Sequence, residues 1–199
     1  TDILNELARH KFIVKNSVKD AVKNVDVVIT MLPEGRHVRD VYLGVEGIVN
    51  SVNSNTLLID CSTIDIATVK EVETAANNKN LTMIDAPVSG GVVGAEQGTL
   101  TFMVGASSKN FDLVLPLLDC MGKKVVRAGN IGSGQAAKIC NNMILGATMV
   151  ALSESFTMAK RLGLDQKTFF DISSKATGMS WAMLNHLPIP DIIETAAAN

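Results

Sequence analysis

Residues 131–163 read IGSGQAAKICNNMILGATMVALSESFTMAKRLG, a glycine-rich turn followed by a long run without proline. Ala, Met, Leu and Ile dominate the run, so the pattern predicts one helix from Gln135 to Gly163. Ser133 is a candidate N-cap, and Gly163 is a candidate C-terminal stop. No charged residue occurs between Ile139 and Ser153. A helix that is apolar on every side is expected to be buried.

The first turns of this helix carry Lys138, Asn141 and Asn142. Residues three and four apart share a helix face, so the lysine and the two amides are expected to project together. Two interpretations remain open. The lysine reaches the surface and the amides bond to backbone, or the three side chains form a binding site. A membrane-spanning helix is disfavoured, because the uncharged run is shorter than the ~20 residues that a span needs.

Upstream of residue 131, apolar strand segments alternate with helical segments, which predicts a parallel sheet with crossover helices. Three segments, 26–32, 56–60 and 81–85, are expected to be adjacent parallel strands. Further strands are predicted at 11–15, 99–105 and 124–127, and helices at 1–10, 17–24, 36–43, 65–78 and 110–121. After residue 134 only helices are predicted, including 165–175 and 180–186. The domain boundary is therefore expected near residue 130, giving domains 1–130 and 131–199.

The composition excludes several classes of protein. The 199 residues carry a net charge of −2, which gives no footprint for nucleic acid or an anionic membrane surface. The three cysteines lie far apart and the three histidines form no ligand pattern. We therefore expect reduced thiols, no disulfide scaffold and no metal site.

Polar loops follow the three central strand segments, where ligands bind in open parallel sheets. Ser62 and Thr63 offer hydroxyl groups just before a predicted helix, although they and Asp65 could simply cap that helix. After the third segment, Ser89 precedes Gly90 and Gly91. Paired glycines let backbone N–H groups approach a ligand, so this loop could hold a small carboxylate, or it could be only a turn.

Four motifs in order give the chain a specific resemblance to a known family. They are ITMLP at 29–33, IDCSTID at 59–65, DAPVSGG at 85–91 and GSGQAAKICNNM at 132–143. The sequence resembles the β-hydroxyacid dehydrogenases over essentially its whole length, and among them most closely the 3-hydroxyisobutyrate dehydrogenases. The fold that this implies is α/β, a partial Rossmann-type parallel sheet followed by the start of an all-α domain. Residues 1–130 would be a partial NAD-binding domain and residues 131–199 the beginning of the helical domain.

The resemblance also implies roles for individual residues. Lys138 would be catalytic, as general acid and base, with Asn142 beside it. The substrate would be bound by Ser89, Gly90, Gly91 and Asn141. The cofactor would be NAD, with Leu32, Pro33 and Thr63 in contact with it. A lysine in a dry cleft suits this chemistry, because desolvation lowers its pKa toward neutrality.

The implied activity is NAD-dependent oxidation of 3-hydroxyisobutyrate to methylmalonate semialdehyde, a step of valine catabolism. The alternatives are a related reductase of tartronate or another semialdehyde, and a truncated, non-catalytic family member. The family's G-x-G-x-x-G loop and later helices have no counterpart between Thr1 and Asn199, so the chain is expected to correspond to the middle of the enzyme. Expected partners are a small hydroxy acid and further copies in a dimer or tetramer, with no nucleic acid or membrane. The expected compartment is the bacterial cytoplasm, or the mitochondrial matrix in a eukaryote.

Overall fold

The computed structural model describes residues 2–193, which divide between Ile139 and Cys140 into two compact units. The N-terminal unit contains a mixed sheet to which, within the described residues, six strands contribute. They are β1 (Val27–Thr30), β2 (Leu57–Asp60), β3 (Thr82–Asp85), β4 (Val88–Ser89), β5 (Leu100–Gly105) and β6 (Gly122–Gly129). The predicted α/β class is confirmed.

Strands β1, β2 and β3 are adjacent and parallel, as predicted from their apolar content. The other half of the sheet is not uniformly parallel. β5 runs antiparallel to β3 and β4 but parallel to β6, which follows it through a helix. The segment between β3 and β5 contains β4, which pairs antiparallel with β5, so it does not act as a simple crossover of the kind that joins parallel strands.

Helices cover the chain between the strands and continue after the last one. They are α1 (Asp2–Arg9), α2 (Val18–Ala21), α3 (Gly35–Leu43), α4 (Ile48–Ser51), α5 (Ile66–Asn77), α6 (Gly91–Glu96), α7 (Ser108–Leu118), α8 (Ser133–Arg161), α9 (Gln166–Ser173) and α10 (Trp181–Asn185). The predicted long helix is therefore present as α8. Ser133 is its first residue rather than a cap outside it.

The sheet of the N-terminal unit buries apolar side chains on both faces. One core contains Val28, Leu58 and Met83 with residues of α3, α4 and α5. The other contains Ile59, Ile84 and residues of β5 and α7. Alternating residues of each central strand enter different cores, as the two-residue period of a strand requires.

The strand predicted at 11–15 is wrong. The structure has no regular element at residues 12–15, and the Ile13 side chain is 85% exposed. An apolar triplet forms a strand only where a neighbouring strand accepts its hydrogen bonds, and no described strand pairs with this segment. Three short elements, α4, β4 and α6, were not predicted.

The C-terminal unit contains most of α8 with α9 and α10. One stripe of α8 is buried, namely Leu152, Phe156 and Ala159, and Phe156 packs edge-to-face on Phe169. The prediction that α8 is buried on every side is wrong. Met143 and Ile144 are 76% and 70% exposed, because the buried stripe lies on one side of the helix and the described elements leave the rest uncovered. No helix among residues 2–193 is long and apolar enough to cross a membrane.

Candidate active site

Three polar residues end the three parallel strands in one row. Thr30, Asp60 and Asp85 are register partners at the carboxyl ends of β1, β2 and β3. Thr30 Oγ1 donates a hydrogen bond to Asp60 Oδ1 at 2.8 Å, and Thr30 Oγ1 also lies 2.8 Å from the Tyr42 hydroxyl. The row places polar groups where ligands bind in this class of sheet.

Asp60 is fully buried and accepts hydrogen bonds on one oxygen only. Ser62 Oγ donates to Asp60 Oδ1 at 2.6 Å, and the Ser62 N–H donates to the same atom at 3.3 Å. Asp60 Oδ2 has no hydrogen-bond partner among residues 2–193. Burial raises the pKa of Asp60, and the hydrogen bonds from Ser62 and Thr30 only partly oppose that shift.

Ser62 joins the loop after β1 to the loop after β2. The N–H of Leu32 donates to Ser62 Oγ at 2.8 Å, and the N–H of Cys61 donates to the Thr30 carbonyl at 2.7 Å. Two of the three predicted cofactor-binding positions, Leu32 and Thr63, are thereby brought together. Leu32 is half-buried, whereas Pro33 and Thr63 are exposed and free to contact a ligand.

Asp65, by contrast, has the structural role that was the alternative for this loop. Its side chain caps α5 by accepting from the Thr68 N–H at 2.8 Å and from Thr68 Oγ1 at 2.6 Å. These hydrogen bonds to the carboxylate lower the pKa of Asp65. Ser62 does not cap the helix, because its hydroxyl is occupied by Asp60 and Leu32.

Asp85 anchors the beginning of α8. The Gly132 N–H donates to Asp85 Oδ1 at 2.6 Å, and the Gln135 N–H donates to Asp85 Oδ2 at 2.9 Å. A carboxylate at this position interacts favourably with the positive end of a long helix. Burial nevertheless raises the pKa of Asp85 to about 6, against the two N–H donors and with a contribution from the neighbouring Asp60.

Two glycines make room for the Asp85 carboxylate. A Cβ at Gly105 would overlap the carboxylate, and a Cβ at Gly134 would lie 2.7 Å from Asp85 Oδ2 and overlap the Met103 carbonyl. The glycine-rich turn before α8 is therefore needed for close approach of the helix to the sheet. Sequence reasoning did not assign Asp85 a function. The sequence feature that could have pointed to Asp85 is an acidic residue at the end of a buried strand.

Gln135 connects the beginning of α8 to the loop after β2. Its side chain is fully buried. Its Nε2 donates to the Ser62 carbonyl at 2.7 Å, and its Oε1 accepts from the Ile64 N–H at 3.1 Å. Both bonds span more than seventy positions of sequence, so sequence reasoning did not find them.

Lys138 lies in α8, three residues after Gln135, and is half-buried. Desolvation lowers its pKa. Within the part of the chain that the structure describes, its amine makes no hydrogen bond or ion pair. A half-buried amine with a lowered pKa and no partner is suited to accept and return a proton.

Asn141 and Asn142 follow in the same helix, and both are exposed. The Asn141 amide nitrogen lies 3.4 Å from Asn142 Oδ1, a long contact that leaves both amides available to a ligand. The interpretation in which the two amides bond to backbone groups finds no such bond among residues 2–193.

The predicted substrate loop joins β4 to α6. Ser89 is half-buried at the end of β4, and Gly90 and Gly91 are exposed. Gly90 has φ +136°, a conformation that L residues rarely adopt, and a Cβ there would lie 3.1 Å from Leu100 Cδ2. The loop therefore requires glycine at this position. That Ser89 and Lys138 act on the same substrate, as the family resemblance implies, stays a prediction.

The loops after β1 and β2 expose groups of the kind that can contact a nicotinamide dinucleotide. Pro33 and Thr63 are exposed in these two loops, and Ser62 hydrogen-bonds one loop to the other. Residues 2–193 contain no group of three or more side chains that could hold a metal ion.

Two family models match the chain. Residues 1–129 match the model described as the NAD binding domain of 6-phosphogluconate dehydrogenase. Residues 132–197 match the model described as NAD-binding of NADP-dependent 3-hydroxyisobutyrate dehydrogenase. Both descriptions agree with the predicted NAD-type cofactor and with the Rossmann-like fold.

Curated proteins and solved structures also match the chain. The probable mitochondrial 3-hydroxyisobutyrate dehydrogenase of Dictyostelium discoideum is 43% identical over 100% of this chain and 62% of its own length. The NAD-dependent L-serine dehydrogenase of Pseudomonas aeruginosa is 39% identical over 92% of this chain and 61% of its own length. The structure of Mycobacterium tuberculosis 3-hydroxyisobutyrate dehydrogenase with L-serine aligns with a TM-score of 0.88 and 40% identity, covering 96% of this chain and 65% of that one.

The chain thus spans a little over three fifths of the length of these relatives. The family models together cover nearly every residue, and the four motifs lie at the strand ends and helix start described above. The chain belongs to the β-hydroxyacid dehydrogenase family.

Proposed function

We propose that the full-length protein is an NAD-dependent oxidoreductase that converts 3-hydroxyisobutyrate to methylmalonate semialdehyde, a step of valine catabolism. The observation that carries the proposal is the environment of the Lys138 amine. Its amine is half-buried, has a pKa lowered by desolvation and is unpaired within residues 2–193. It lies in the first turns of α8, and the beginning of this helix is hydrogen-bonded to Asp85 at the end of β3 and to Ser62 in the loop after β2.

The proposed chemistry divides between the cofactor and the chain. NAD, when bound, supplies the hydride acceptor. The neutral amine of Lys138 takes the proton of the substrate hydroxyl, and its ammonium returns a proton to the carbonyl oxygen in the reverse direction. Asn142, one helical turn later, orients the hydroxyl or the amine without adding charge.

The substrate carboxylate is assigned to the loop after β4. Ser89 offers a hydroxyl donor, and the exposed backbone at Gly90 and Gly91 offers N–H donors that no side chain shields. Asn141, whose amide is exposed, is a further substrate contact. Leu32, Pro33 and Thr63 are assigned to the cofactor, because they lie at the ends of β1 and β2.

L-Serine is the second candidate substrate. It carries the same primary alcohol and carboxylate as 3-hydroxyisobutyrate, with an ammonium group in place of a methyl group. Two of the relatives name serine, one as substrate and one as the compound in the structure. Lys138 would serve both reactions in the same way, so the two candidates differ only in what surrounds the middle carbon.

A substrate panel on the full-length protein tests the proposal. NADH formation is measured with 3-hydroxyisobutyrate and with L-serine, and NADH consumption is measured with tartronate semialdehyde for the reverse direction. We expect the highest kcat/KM with 3-hydroxyisobutyrate. A higher value with L-serine would replace the proposed substrate, and no turnover with any member would favour a non-catalytic role.

The proposal also includes an oligomeric state and a cellular compartment for the full-length protein. A homodimer or homotetramer is supported by the exposed apolar side chains of α8, such as Met143 and Val150, which a second copy could cover. The expected compartment is the cytoplasm of a bacterium or the mitochondrial matrix of a eukaryote. Sedimentation of the full-length protein tests the oligomeric state.

A further inference from the structure

We infer that Gln135 is a positioning residue, whose side-chain amide holds the cofactor-binding Thr63 segment at a fixed place relative to the catalytic Lys138. The inference rests on the proposed function of those two residues. It concerns a different residue, whose side-chain amide forms hydrogen bonds only to backbone groups among residues 2–193.

Both functional atoms of the Gln135 side-chain amide form hydrogen bonds, and this pair of bonds is called the clamp below. Gln135 Nε2 donates to the Ser62 carbonyl at 2.7 Å, and Gln135 Oε1 accepts from the Ile64 N–H at 3.1 Å. The two bonds use both functional atoms of one rigid planar group on the residues either side of Thr63. A single bond would fix a distance and permit rotation, whereas two bonds also fix the orientation of the segment.

The clamp does not engage the side chain of Thr63. Thr63 is exposed, although both of its neighbours are buried. The amide therefore satisfies the backbone of this segment without occupying the threonine hydroxyl. A buried polar group that is fully bonded makes a stiff connection, because breaking either bond leaves an unpaired group away from water.

Gln135 is itself held at two places, through its main chain and through its side chain. Its backbone N–H donates to Asp85 Oδ2 at 2.9 Å, so the end of β3 fixes its main chain while the loop after β2 fixes its side chain. Ser62, which accepts from Gln135 through its carbonyl, also receives the Leu32 N–H on its hydroxyl. One glutamine thus connects α8 directly to the end of β3 and to the loop after β2, and through Ser62 to the loop after β1.

Gln135 and Lys138 lie close together in the same helix. Lys138 follows Gln135 by three residues of continuous helix, about 4.5 Å along the axis. A displacement of the helix start is therefore passed on to the lysine amine. Misplacement of reacting groups by about 1 Å lowers rates by up to ~10²-fold, so loss of the clamp should lower kcat more than it weakens ligand binding.

The activity test uses the full-length protein and three variants. Gln135→Met keeps the length of the side chain and removes both hydrogen bonds. Gln135→Glu keeps the acceptor for the Ile64 N–H but regains a donor toward Ser62 only when protonated. Gln166→Met, in α9, is the matched control. All rates are measured at a temperature where each variant is folded.

We expect Gln135→Met to lower kcat about 10- to 100-fold, with the Kd of NADH changed less than about threefold, and Gln166→Met to change neither. The kcat of Gln135→Glu relative to wild type should rise as the pH is lowered, because the protonated acid restores the second bond. The same ratio for Gln135→Met should not follow that course. An unchanged kcat in Gln135→Met, or a Gln135→Glu ratio independent of pH, would overturn the inference.

A second measurement needs no turnover. Amide hydrogen exchange in the unliganded protein should show the Ile64 N–H protected in wild type and in Gln166→Met, and exposed in Gln135→Met. Normal Ile64 protection in Gln135→Met would refute the clamp. A wild-type protein that shows the protection but oxidises no substrate would refute the proposed function and would leave the clamp without a catalytic role, which also overturns the positioning inference.

Discussion

Asp60 and Asp85 are paired in register on adjacent parallel strands, so two buried carboxyl groups lie on the same side of the sheet. Burial raises the pKa of both, and the charge of Asp60 raises the pKa of Asp85 further, to about 6. The beginning of α8 is therefore anchored by a carboxyl group that titrates close to neutral pH.

The first prediction follows from that titration. Because the pKa of Asp85 is raised from its ordinary value of 3.8 to about 6, its contribution to the free energy of unfolding is present below pH 3.8 and is lost as the pH rises through about 6. Asp85→Asn cannot titrate. The stability of wild type minus that of the variant should therefore fall by about 3 kcal/mol across this range, at ~1.4 kcal/mol for each unit of pKa.

Urea unfolding at pH 4, 5, 6 and 7 measures this difference. Asp60→Asn should change the pH dependence in the same direction, because the pKa of Asp60 is also raised. Parallel stability curves for wild type and Asp85→Asn would show that Asp85 titrates normally.

The second prediction concerns Lys138. In the full-length protein, Lys138→Ala should lower kcat by ~10²- to 10⁴-fold, the usual effect of removing a positioned acid–base group. The Kd of NADH should stay nearly unchanged, because the residues assigned to the cofactor lie on the loops after β1 and β2. Lys160→Ala, an exposed lysine in the last turn of the same helix, is the control. A normal kcat in Lys138→Ala would make the lysine structural only.

The third prediction concerns Gly90. Gly90→Val should raise the KM of the hydroxy acid sharply, because its φ of +136° is strained for an L residue and its Cβ would press on Leu100. The melting temperature should fall for the same reason. Gly178→Val, placed where an added Cβ meets nothing within 4 Å, should change neither quantity. If KM is unchanged while the melting temperature falls, the loop does not bind the substrate.

The fourth prediction separates cofactor binding from stability. Ser62→Ala leaves the Leu32 N–H unpaired and removes the hydroxyl on Asp60, at an expected cost of about 1–3 kcal/mol in unfolding free energy. The Kd of NADH should rise, because the loops after β1 and β2 are no longer joined. Ser107→Ala removes the N-cap of α7, so it should lower stability by about 1 kcal/mol without changing that Kd. Equal Kd values for both variants would contradict the role of Ser62.

The sequence was sufficient for features that depend on local pattern. Apolar content and alternation with helices predicted the parallel strands β1, β2 and β3, and the absence of proline predicted α8. Properties that depend on neighbours were missed. Strand β4 has two residues and shows no periodicity, and the direction of β5 leaves no mark on its composition. Residues 12–14 look like a strand, but none of the strands that the structure describes pairs with them.

The same division holds for the site. Lys138 stood out because it is a charged residue at the start of an uncharged helix, and the glycines after Ser89 stood out because adjacent glycines are rare. Gln135 and Asp60 carried no such signal. Their roles come from hydrogen bonds to partners that only the folded chain brings near, such as the Ile64 N–H for Gln135.

The packing around Asp85 restricts how this sequence can evolve. Gly105 cannot gain a side chain while the carboxylate is present, because the added Cβ would occupy its space, and at Gly134 the added Cβ would also overlap the Met103 backbone carbonyl. Replacing Asp85 first removes both hydrogen bonds that begin α8. Each single step is therefore deleterious, and Asp85 and Gly105 can change only by passing through a weakened intermediate. We expect homologous lineages either to keep both of these residues or to have replaced the two together, and to keep Gly134 in either case.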